Sequence, residues 1–265
     1  ITTELTVDEP LLDLRLLKDR NFGICSLIML MFSIGMFGST FLLPLYLQNS
    51  LGYTALQAGA VFLPVGIIQG AMSPTSGFLA NKINPKWMII AGVILLAFSF
   101  YINSSFSYLT ERSYIMLGLY IRGFALGIIF TPLSTLSLSQ IPREKMAQAS
   151  GVSNTIRQIG GSLGVAILTT VLTTRVTYHT ELYSEALQPD SPVYRQVKSG
   201  LQNFAESRVG STPAVAAQQG QVLLISNIGK QAYIQGVDDD FLLVAVITLL
   251  GSAPVLLLRR KKNNE

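Results

Sequence analysis

Residues 22–47 read FGICSLIMLMFSIGMFGSTFLLPLYL, a stretch without a single charged side chain. A helix that crosses a bilayer needs about 20 mainly apolar residues, and this stretch exceeds that length. It is apolar all round, whereas a core helix of a water-soluble protein would have a polar face. Five further apolar stretches occupy residues 55–80, 87–102, 114–138, 146–173 and 241–258. The sequence therefore predicts an all-α polytopic membrane protein with six transmembrane helices.

Basic residues alternate between the two sides of these stretches. If the basic residues of 259–262 lie in the cytoplasm, an even number of spans places those of 15–20, 82–86 and 143–145 there as well. Short cytoplasmic loops carry the excess of Lys and Arg, whereas long loops cross the membrane largely regardless of charge. We therefore expect both ends of the chain in the cytoplasm. The predicted segments are a cytoplasmic N-terminal linker (1–21), transmembrane helices one to five (22–173), a helical extracytoplasmic loop (174–240), the last transmembrane helix (241–258) and a basic cytoplasmic tail (259–265).

Composition argues against several classes of function. The net charge of +4 comes from the membrane flanks, and no basic cluster is interleaved with aromatic residues elsewhere, so nucleic-acid binding is not expected. The single cysteine, Cys25, and the single histidine, His179, cannot build a disulfide framework or a Cys/His metal site. No set of catalytic residues stands at a membrane boundary, so we expect neither an enzyme nor a cofactor. The chain opens with Ile1 and has no cleavable signal pattern, so we expect it to be part of a longer polypeptide.

Two arginines, Arg122 and Arg157, lie within predicted spans. A charged side chain at a helix centre costs about 2.5–3.5 kcal/mol on insertion scales, so it normally faces a cavity or a partner. Each arginine either braces carbonyls of neighbouring helices or contacts substrate or a gate. Arg157 also belongs to a stripe of small and polar residues at three- and four-residue steps, a helix face turned toward protein or water. The stripe comprises Ser150, Asn154, Arg157, Gly161 and Gly164, and the candidates for transport or gating are Arg122, Asn154, Arg157 and Gln158.

Further residues of the spans bear on helix packing and on substrate. Two glycine pairs, 123/127 and 160/164, predict close contacts between helices. No Asp or Glu lies in a predicted span, so we expect the proton-carrying group in another part of the polypeptide. An adaptable cavity for apolar molecules needs bulky side chains with few polar anchors, although such residues also face lipid or neighbouring helices. The candidates for a cavity are Phe37, Tyr46, Gln69, Met72 and Phe130.

Three local motifs resemble the C-terminal half of the major facilitator superfamily, and most closely its fourteen-helix drug/proton antiporter branch. The first joins residues 44–48 (PLYLQ) and 52–59 (GYTALQAG), and it resembles the junction between the first two helices of that half. The second, residues 77–82 (GFLANK), is similar to the short cytoplasmic signature of the superfamily. The third, residues 154–164 (NTIRQIGGSLG), resembles the penultimate helix of the branch. The signature residues are Gly77, Asn81, Lys82 and Lys86.

The resemblance implies a function and a location. It implies one half of a proton-coupled transporter that exports drugs or other amphipathic small molecules across the inner membrane, completed by an N-terminal half of the same polypeptide. Asn81 stands where the family has Asp, so the charge-dependent part of the conformational latch attributed to that Asp is in doubt here. An uptake carrier of the same superfamily remains an alternative. A six-span channel or a scaffold that transports nothing is another.

The segment before the last span is amphipathic. Ser191 followed by Pro192 predicts a helix start, and apolar residues at 194, 197, 201 and 204 form one stripe that ends near Gly210. Thr212 followed by Pro213 predicts a second helix, with Val222, Ile225 and Ile228 on one face, and the pattern leaves open whether this helix runs on toward the last span. We expect a helical hairpin that caps the transporter or lies on lipid. The alternative is a docking surface for a periplasmic adaptor subunit, which some members of the branch use.

Overall fold

The computed structural model describes residues 14–139, 141–186, 192–209 and 212–257. In these residues the chain forms α-helices and short 3-10 helices, without β-strands. The α-helices are α1 (Arg20–Asn49), α2 (Ala55–Ala60), α3 (Leu63–Lys82), α4 (Pro85–Ile102), α5 (Arg112–Leu138), α6 (Met146–Ala186), α7 (Pro192–Val209) and α8 (Pro213–Leu250), and the 3-10 helices are Leu14–Lys18, Arg143–Lys145 and Ala253–Leu257. Six segments of the described chain are long and apolar enough to cross a membrane: α1, α2 with α3, α4, α5, α6 and α8. The predicted all-α polytopic fold is thereby confirmed.

Helix starts follow local sequence signals. α1 begins after Asp19, whose carboxylate accepts a hydrogen bond from the backbone N–H of Phe22 at 2.8 Å. α2 begins with a capping box, in which the side chains of Thr54 and Gln57 each accept from the other's backbone N–H. Gly52 precedes it with a φ of +69°, a left-handed conformation that glycine adopts without steric penalty. The first family-like motif therefore turns the chain and starts the second span.

The second span is interrupted between α2 and α3, which differs from the single stretch expected at 55–80. Pro64 has no N–H to donate to the carbonyl of Ala60, so one helical hydrogen bond is missing there. The chain forms a turn instead, and the backbone N–H of Val65 bonds the carbonyl of Phe62 at 3.1 Å. Proline in the first turn of α3 is compatible with a new helix start.

Helix α5 packs against both α3 and α4. Its glycine pair makes the contact with α3 close. A Cβ atom at Gly123 would lie 2.9 Å from the carbonyl oxygen of Val65, and one at Gly127 would lie 2.5 Å from the Cβ of Met72. Glycine at these two positions therefore permits the backbones to approach, as small residues do between membrane helices.

Pro132 interrupts the hydrogen-bond ladder of α5, because it cannot donate to the carbonyl of Ile128 one turn earlier. Ser76 of α3 supplies the missing donor, since its hydroxyl donates to the Ile128 carbonyl at 3.0 Å. Ser76 is buried, with 1% of its surface exposed. Proline is tolerated in a membrane helix when a neighbour satisfies the freed carbonyl, and Ser76 is that neighbour.

The second glycine pair packs α6 against α1. A Cβ atom at Gly160 would lie 2.7 Å from the carbonyl oxygen of Leu30, and one at Gly164 would overlap the backbone of Ile34. Close to the start of α1, apolar side chains from the N-terminal 3-10 helix, α1, α6 and the connection between α5 and α6 form a buried cluster. It comprises Leu16, Phe22, Ile141, Ala149 and Val152.

The chain divides into two compact units. The span unit comprises the described residues up to 168 and from 241 onward, and the loop unit comprises the described residues between 169 and 240. The loop unit holds the end of α6, all of α7 and the first part of α8. A Cβ atom at Gly220 of α8 would lie 3.1 Å from the Cγ of Gln202 of α7, so the two helices pack as a hairpin. The prediction that this segment is helical is confirmed for its described residues. The predicted helix start at Ser191 and the end of the stripe near Gly210 lie outside the described residues.

Helix α8 is longer than the last predicted span. The hydropathy pattern places the start of that span at residue 241, but α8 is continuous from the loop unit onward. Hydropathy marks only the apolar part of a helix, so it assigns the preceding amphipathic turns to a loop. Consequently Asp238, Asp239 and Asp240, expected in the loop at the mouth of the span, lie inside a helix, and Asp240 is fully buried.

An ion pair links α6 and α8 within the loop unit. His179 Nε2 lies 2.8 Å from Asp239 Oδ2, and Arg175 Nε lies 3.6 Å from the same oxygen. The ring of His179 also stacks on Tyr183, with 6.2 Å between ring centroids. The single histidine of the chain thus joins two helices.

Candidate functional site

A cavity of about 130 Å³ lies between α5 and α6 of the span unit, next to α1. Its polar lining comprises Ser134, Ser137, Ser150, Ser153, Asn154 and Arg157, and its apolar lining comprises Met29, Phe130 and Leu138. Arg157 stands eleven residues after the start of α6. At a rise of 1.5 Å per residue this is about 17 Å along the helix axis from that start.

Arg157 organises the polar wall of the cavity. Its Nη2 donates to Oδ1 of Asn154 at 2.6 Å, from one helical turn farther along α6. Its Cζ lies 5.7 Å from the ring centroid of Phe130, within the range of a cation–π contact. Within the described parts of the chain, no Asp or Glu forms an ion pair with Arg157. The cavity therefore presents a positive charge that this part of the protein does not neutralise.

Ser137 contributes a hydroxyl that is not used. It is 3% exposed, and its Oγ has no hydrogen-bond partner among the described residues. A buried hydroxyl without a partner is unfavourable, whereas one that reaches a ligand or a water molecule is satisfied. The cavity is thus lined by an unneutralised cation and an unpaired donor.

The stripe predicted on α6 serves two different contacts. Its polar members line the cavity, whereas Gly161 and Gly164 pack against α1. Gln158 is exposed and does not line this cavity. Asn154 and Arg157 are therefore the two transport candidates that the structure brings together.

Arg122 lies apart from this cavity. It is 2% exposed, and its Cζ lies 4.9 Å from the ring centroid of Phe100. None of its three guanidinium nitrogens has a hydrogen-bond partner among the described residues, and the same holds for the buried amide of Asn103. The structure gives Arg122 neither an exposed position for substrate nor a carbonyl to brace.

The candidates for a cavity are dispersed. Phe130 lines the Arg157 cavity. Phe37 packs against a glycine of α6, since a Cβ atom at Gly161 would lie 3.0 Å from its ring. Gln69 and Met72 lie at the contact of α3 with the second glycine of α5. These three residues therefore have partners in neighbouring helices, which is the alternative that the sequence left open.

Tyr46, another candidate for a cavity, does not line the Arg157 cavity. Tyr46 is fully buried, and its ring stacks on Phe106 with 4.4 Å between the centroids. Its hydroxyl donates to the carbonyl of Ser107 at 2.9 Å. A buried tyrosine needs a partner for its hydroxyl, and here the loop backbone provides it. Tyr46 is a packing residue that anchors the connection between α4 and α5.

Two lysines of the family-like signature make local contacts at the connection between α3 and α4. Lys82 Nζ lies 4.7 Å from the ring centroid of Phe78. Lys86 Nζ donates to the carbonyl of Leu256 at 3.4 Å, in the 3-10 helix that follows α8. A cation near the end of a helix is favoured by the helix dipole. Lys86 therefore ties the signature to the C-terminal end of the last span.

The signature also contains Gly77 and Asn81. A Cβ atom at Gly77 would lie 3.6 Å from Thr131 of α5, an ordinary van der Waals distance. Asn81 lies in the last turn of α3, and its side chain is outside the described part of the structure. The N-cap of α4 is Asn84, whose Oδ1 accepts from the backbone N–H of Lys86 at 3.1 Å.

Sequence reasoning missed most of the serines of the cavity. Ser134 and Ser137 are three residues apart on α5, and Ser150 and Ser153 are three apart on α6, so each pair shares a helix face. The sequence alone shows that spacing. The fact that the two faces meet was not, because it depends on which helices are neighbours.

The Major Facilitator Superfamily model matches residues 4–165 of the chain. The chain is 31% identical to the uncharacterized MFS-type transporter YhcA of Bacillus subtilis, in an alignment that covers 100% of the chain and 51% of that relative. It is 36% identical to the multidrug export protein EmrB of Escherichia coli, over 85% of the chain and 44% of the relative. It is 30% identical to the lincomycin resistance protein LmrB of Listeria monocytogenes, over 76% of the chain and 42% of the relative. The chain spans about half the length of these relatives.

The fold and the comparisons agree. The family model covers more than half of the chain, and the six apolar helices fit a multi-pass membrane protein. The relatives are transporters, which confirms the expectation that the chain is not an enzyme. This chain belongs to the Major Facilitator Superfamily.

Proposed function

We propose that this chain forms the C-terminal half of a fourteen-helix, proton-coupled transporter that exports drugs or other amphipathic small molecules across the inner membrane. The cavity around Arg157 carries the proposal, because it places a cation, several hydroxyls and an aromatic ring near the middle of an apolar bundle. Apolar walls with a few placed polar groups are typical of small-molecule sites. The name of one relative, a multidrug export protein, supports export rather than uptake.

The surface of α3 supports a further half. Of the 18 most apolar consecutive residues of the α2–α3 span, 17% are buried, whereas the corresponding share for α1 is 61%. Leu63, Ile67 and Phe78 are 65%, 71% and 62% exposed, and Gly66 and Gly70 have open space where a Cβ atom would stand. An apolar face with small residues suits contact with another membrane helix. We assign that face to the N-terminal half of the same polypeptide.

The proposal also covers the orientation of the chain in the membrane and the location of the group that carries the proton. The distribution of Lys and Arg supports cytoplasmic ends and an extracytoplasmic loop unit. The apolar stretches of the sequence contain no carboxylate, since the buried Asp240 of α8 comes just before the last of them, and carboxylates are the usual proton carriers inside membranes. We therefore place the coupling carboxylate in the N-terminal half.

Vesicles test this proposal. The complete protein, reconstituted with an imposed proton gradient, should accumulate a fluorescent amphipathic dye. This chain alone should insert without accumulating dye, because a midplane site between two halves needs both of them. Robust accumulation by the chain alone would contradict the half-transporter assignment. Dye movement by the complete protein in the opposite direction would favour an uptake carrier.

We propose a second function for the loop unit, namely docking of a periplasmic adaptor subunit. Phe204 of α7 is 54% exposed, and Val222 and Ile225 of α8 are each 62% exposed. The buried face of α8 in this region is formed by Ala216 and Leu224 instead. Exposed apolar side chains that the unit does not bury itself are typical of an interaction surface.

Substitution of Phe204, Val222 and Ile225 by Gln tests docking without removing a helix. Resistance of whole cells should fall, while efflux from spheroplasts, where no outer membrane must be crossed, should persist. Gly200→Ala is the control, because a Cβ atom there meets open space in the described structure. Equal losses in both assays would assign the loop unit a capping role.

A further inference from the structure

The charge of the Arg157 cavity discriminates among amphipathic molecules. Arg157 brings a guanidinium group with five N–H donors, of which Nη2 is engaged by Asn154 at 2.6 Å. No acidic side chain of the described residues pairs with it. A cation within a membrane-spanning helix is stable when a partner neutralises its charge. The cavity is therefore complementary to a negative charge.

The hydroxyls of the cavity reinforce that preference. Ser137 is 3% exposed with an Oγ that has no partner in the described chain, and it lines the same cavity as Arg157. Ser134 and Ser153 add two more hydroxyls to the lining. Hydroxyl and guanidinium groups together can donate several hydrogen bonds to one anionic group, and bonds to a charged acceptor are about twice as strong as neutral ones.

The remaining wall is apolar. Met29, Phe130 and Leu138 line the cavity beside the polar residues. A volume of about 130 Å³ holds a carboxylate with the first atoms of an apolar body, since one water molecule takes about 30 Å³ in the liquid. A ligand that satisfies both walls has an anionic head and an apolar remainder.

We infer that this cavity binds the carboxylate of an amphipathic anion, with Arg157 and Ser137 as donors to the head and with Phe130 beside the apolar body. The inference rests on the proposed function and names the charge class of its substrate. An amphipathic cation meets an unneutralised like charge in the same place, so the site disfavours it. Planar bidentate recognition of a carboxylate requires Arg, so Lys at position 157 is a poorer substitute.

A carboxylate can reach Arg157 from two sources. One is the substrate, and the other is an acidic side chain of the N-terminal half. In the first case the loss of Arg157 affects anions selectively. In the second case it affects every ligand alike, because an unpaired carboxylate is left behind whatever the ligand is.

Binding to the complete purified protein in lipid nanodiscs separates these cases. The probes are naphthoate, naphthylmethanol and naphthylmethylammonium, which share one ring system and differ in charge. Arg157→Gln should weaken naphthoate binding about tenfold to a hundredfold and leave naphthylmethanol within about twofold. Arg157→Lys and Ser137→Ala should give smaller losses for naphthoate alone. Ser162→Ala is the matched control, because Ser162 is exposed on the same helix and lies outside the cavity lining.

Three results would overturn the inference. They are equal weakening of all three probes by Arg157→Gln, unchanged naphthoate binding in that variant, and a wild-type protein that prefers naphthylmethylammonium. If Arg157→Gln does not fold, Arg157→Lys and Ser137→Ala serve as the test. Each should weaken the binding of naphthoate and leave the binding of naphthylmethanol unchanged. Naphthoate binding without export would leave this inference standing and contradict the proposed function. Export of neutral dyes without selective naphthoate binding would do the reverse.

Discussion

At the scale of single residues, Arg157 is expected to be the most sensitive basic residue for transport. Its guanidinium bonds Asn154 and lies beside Phe130 in the cavity. Arg157→Lys keeps the charge but loses the planar fork, so we expect reduced efflux, and a larger defect for Arg157→Ala. Efflux is to be measured at matched amounts of protein in the membrane. Wild-type efflux by Arg157→Ala would contradict a transport role, and loss of the folded protein would indicate bracing.

Ser76 gives a second prediction at this scale. It donates to the Ile128 carbonyl that Pro132 leaves free. Ser76→Ala should destabilise the protein by about 1–3 kcal/mol, because a buried acceptor loses its partner. Thermal unfolding in detergent is the measurement. Ser104→Ala is the control, since that exposed hydroxyl bonds only within its own turn. Equal unfolding temperatures for both variants would contradict this role.

Sequence patterns predicted part of the site at this scale. The stripe on α6 identified Asn154 and Arg157, because helical spacing alone places them on one face. It did not identify Ser137, whose role depends on α5 lying beside α6. The hydrogen bond of Tyr46 was not predicted either, because the sequence does not show which backbone carbonyl its hydroxyl meets.

At the scale of helices, the contact between α1 and α6 depends on Gly164. A Cβ atom there would overlap the Ile34 backbone, which cannot move aside as a flexible side chain can. Gly164→Ala should therefore destabilise the span unit by about 1–3 kcal/mol, as overpacking does. Gly200→Ala, at a position with open space in α7, should be neutral or stabilise by up to about 1 kcal/mol. Similar unfolding temperatures for the two variants would refute the close approach.

The pair between His179 and Asp239 gives a prediction for the loop unit. It links α6 and α8 with a 2.8 Å contact that is largely buried on the histidine side, where 13% of the side chain is exposed. Asp239→Asn should speed hydrogen exchange of the amides around residues 175–183. Glu181→Gln is the control. Glu181 is an exposed acidic residue of α6, the helix of His179, and it has no salt bridge among the described pairs. Unchanged protection in Asp239→Asn would show that packing alone joins the two helices.

Helices were predictable where hydropathy and capping signals coincide. All six apolar stretches correspond to helical segments of the described chain, because the bilayer length and the absence of charge constrain them. The break at Pro64 was not predicted, and the continuation of the second loop helix toward the last span was left open rather than predicted through Asp240. Hydropathy reflects whether lipid or water surrounds a helix. Neither a break within a span nor the continuation of a helix beyond a span changes those surroundings.

At the scale of the whole molecule, the family motifs and the topology were sufficient to predict the superfamily, which the family model confirms over residues 4–165. The arrangement around Arg157 was beyond the sequence, because it requires the packing of α1, α5 and α6 together. We expect the Arg157 cavity to belong to the transport path.

Cysteine accessibility tests that claim most directly. Cys25 is the only cysteine of the chain, so a complete protein freed of cysteines can carry Ser153→Cys in the cavity lining or, as control, Ser162→Cys on an exposed position of α6. The measurement is the rate of labelling by a charged, membrane-impermeant methanethiosulfonate reagent, with and without an exported substrate. We expect substrate to slow labelling at position 153 and to leave labelling at position 162 unchanged. Labelling at position 153 that does not respond to substrate would contradict this expectation.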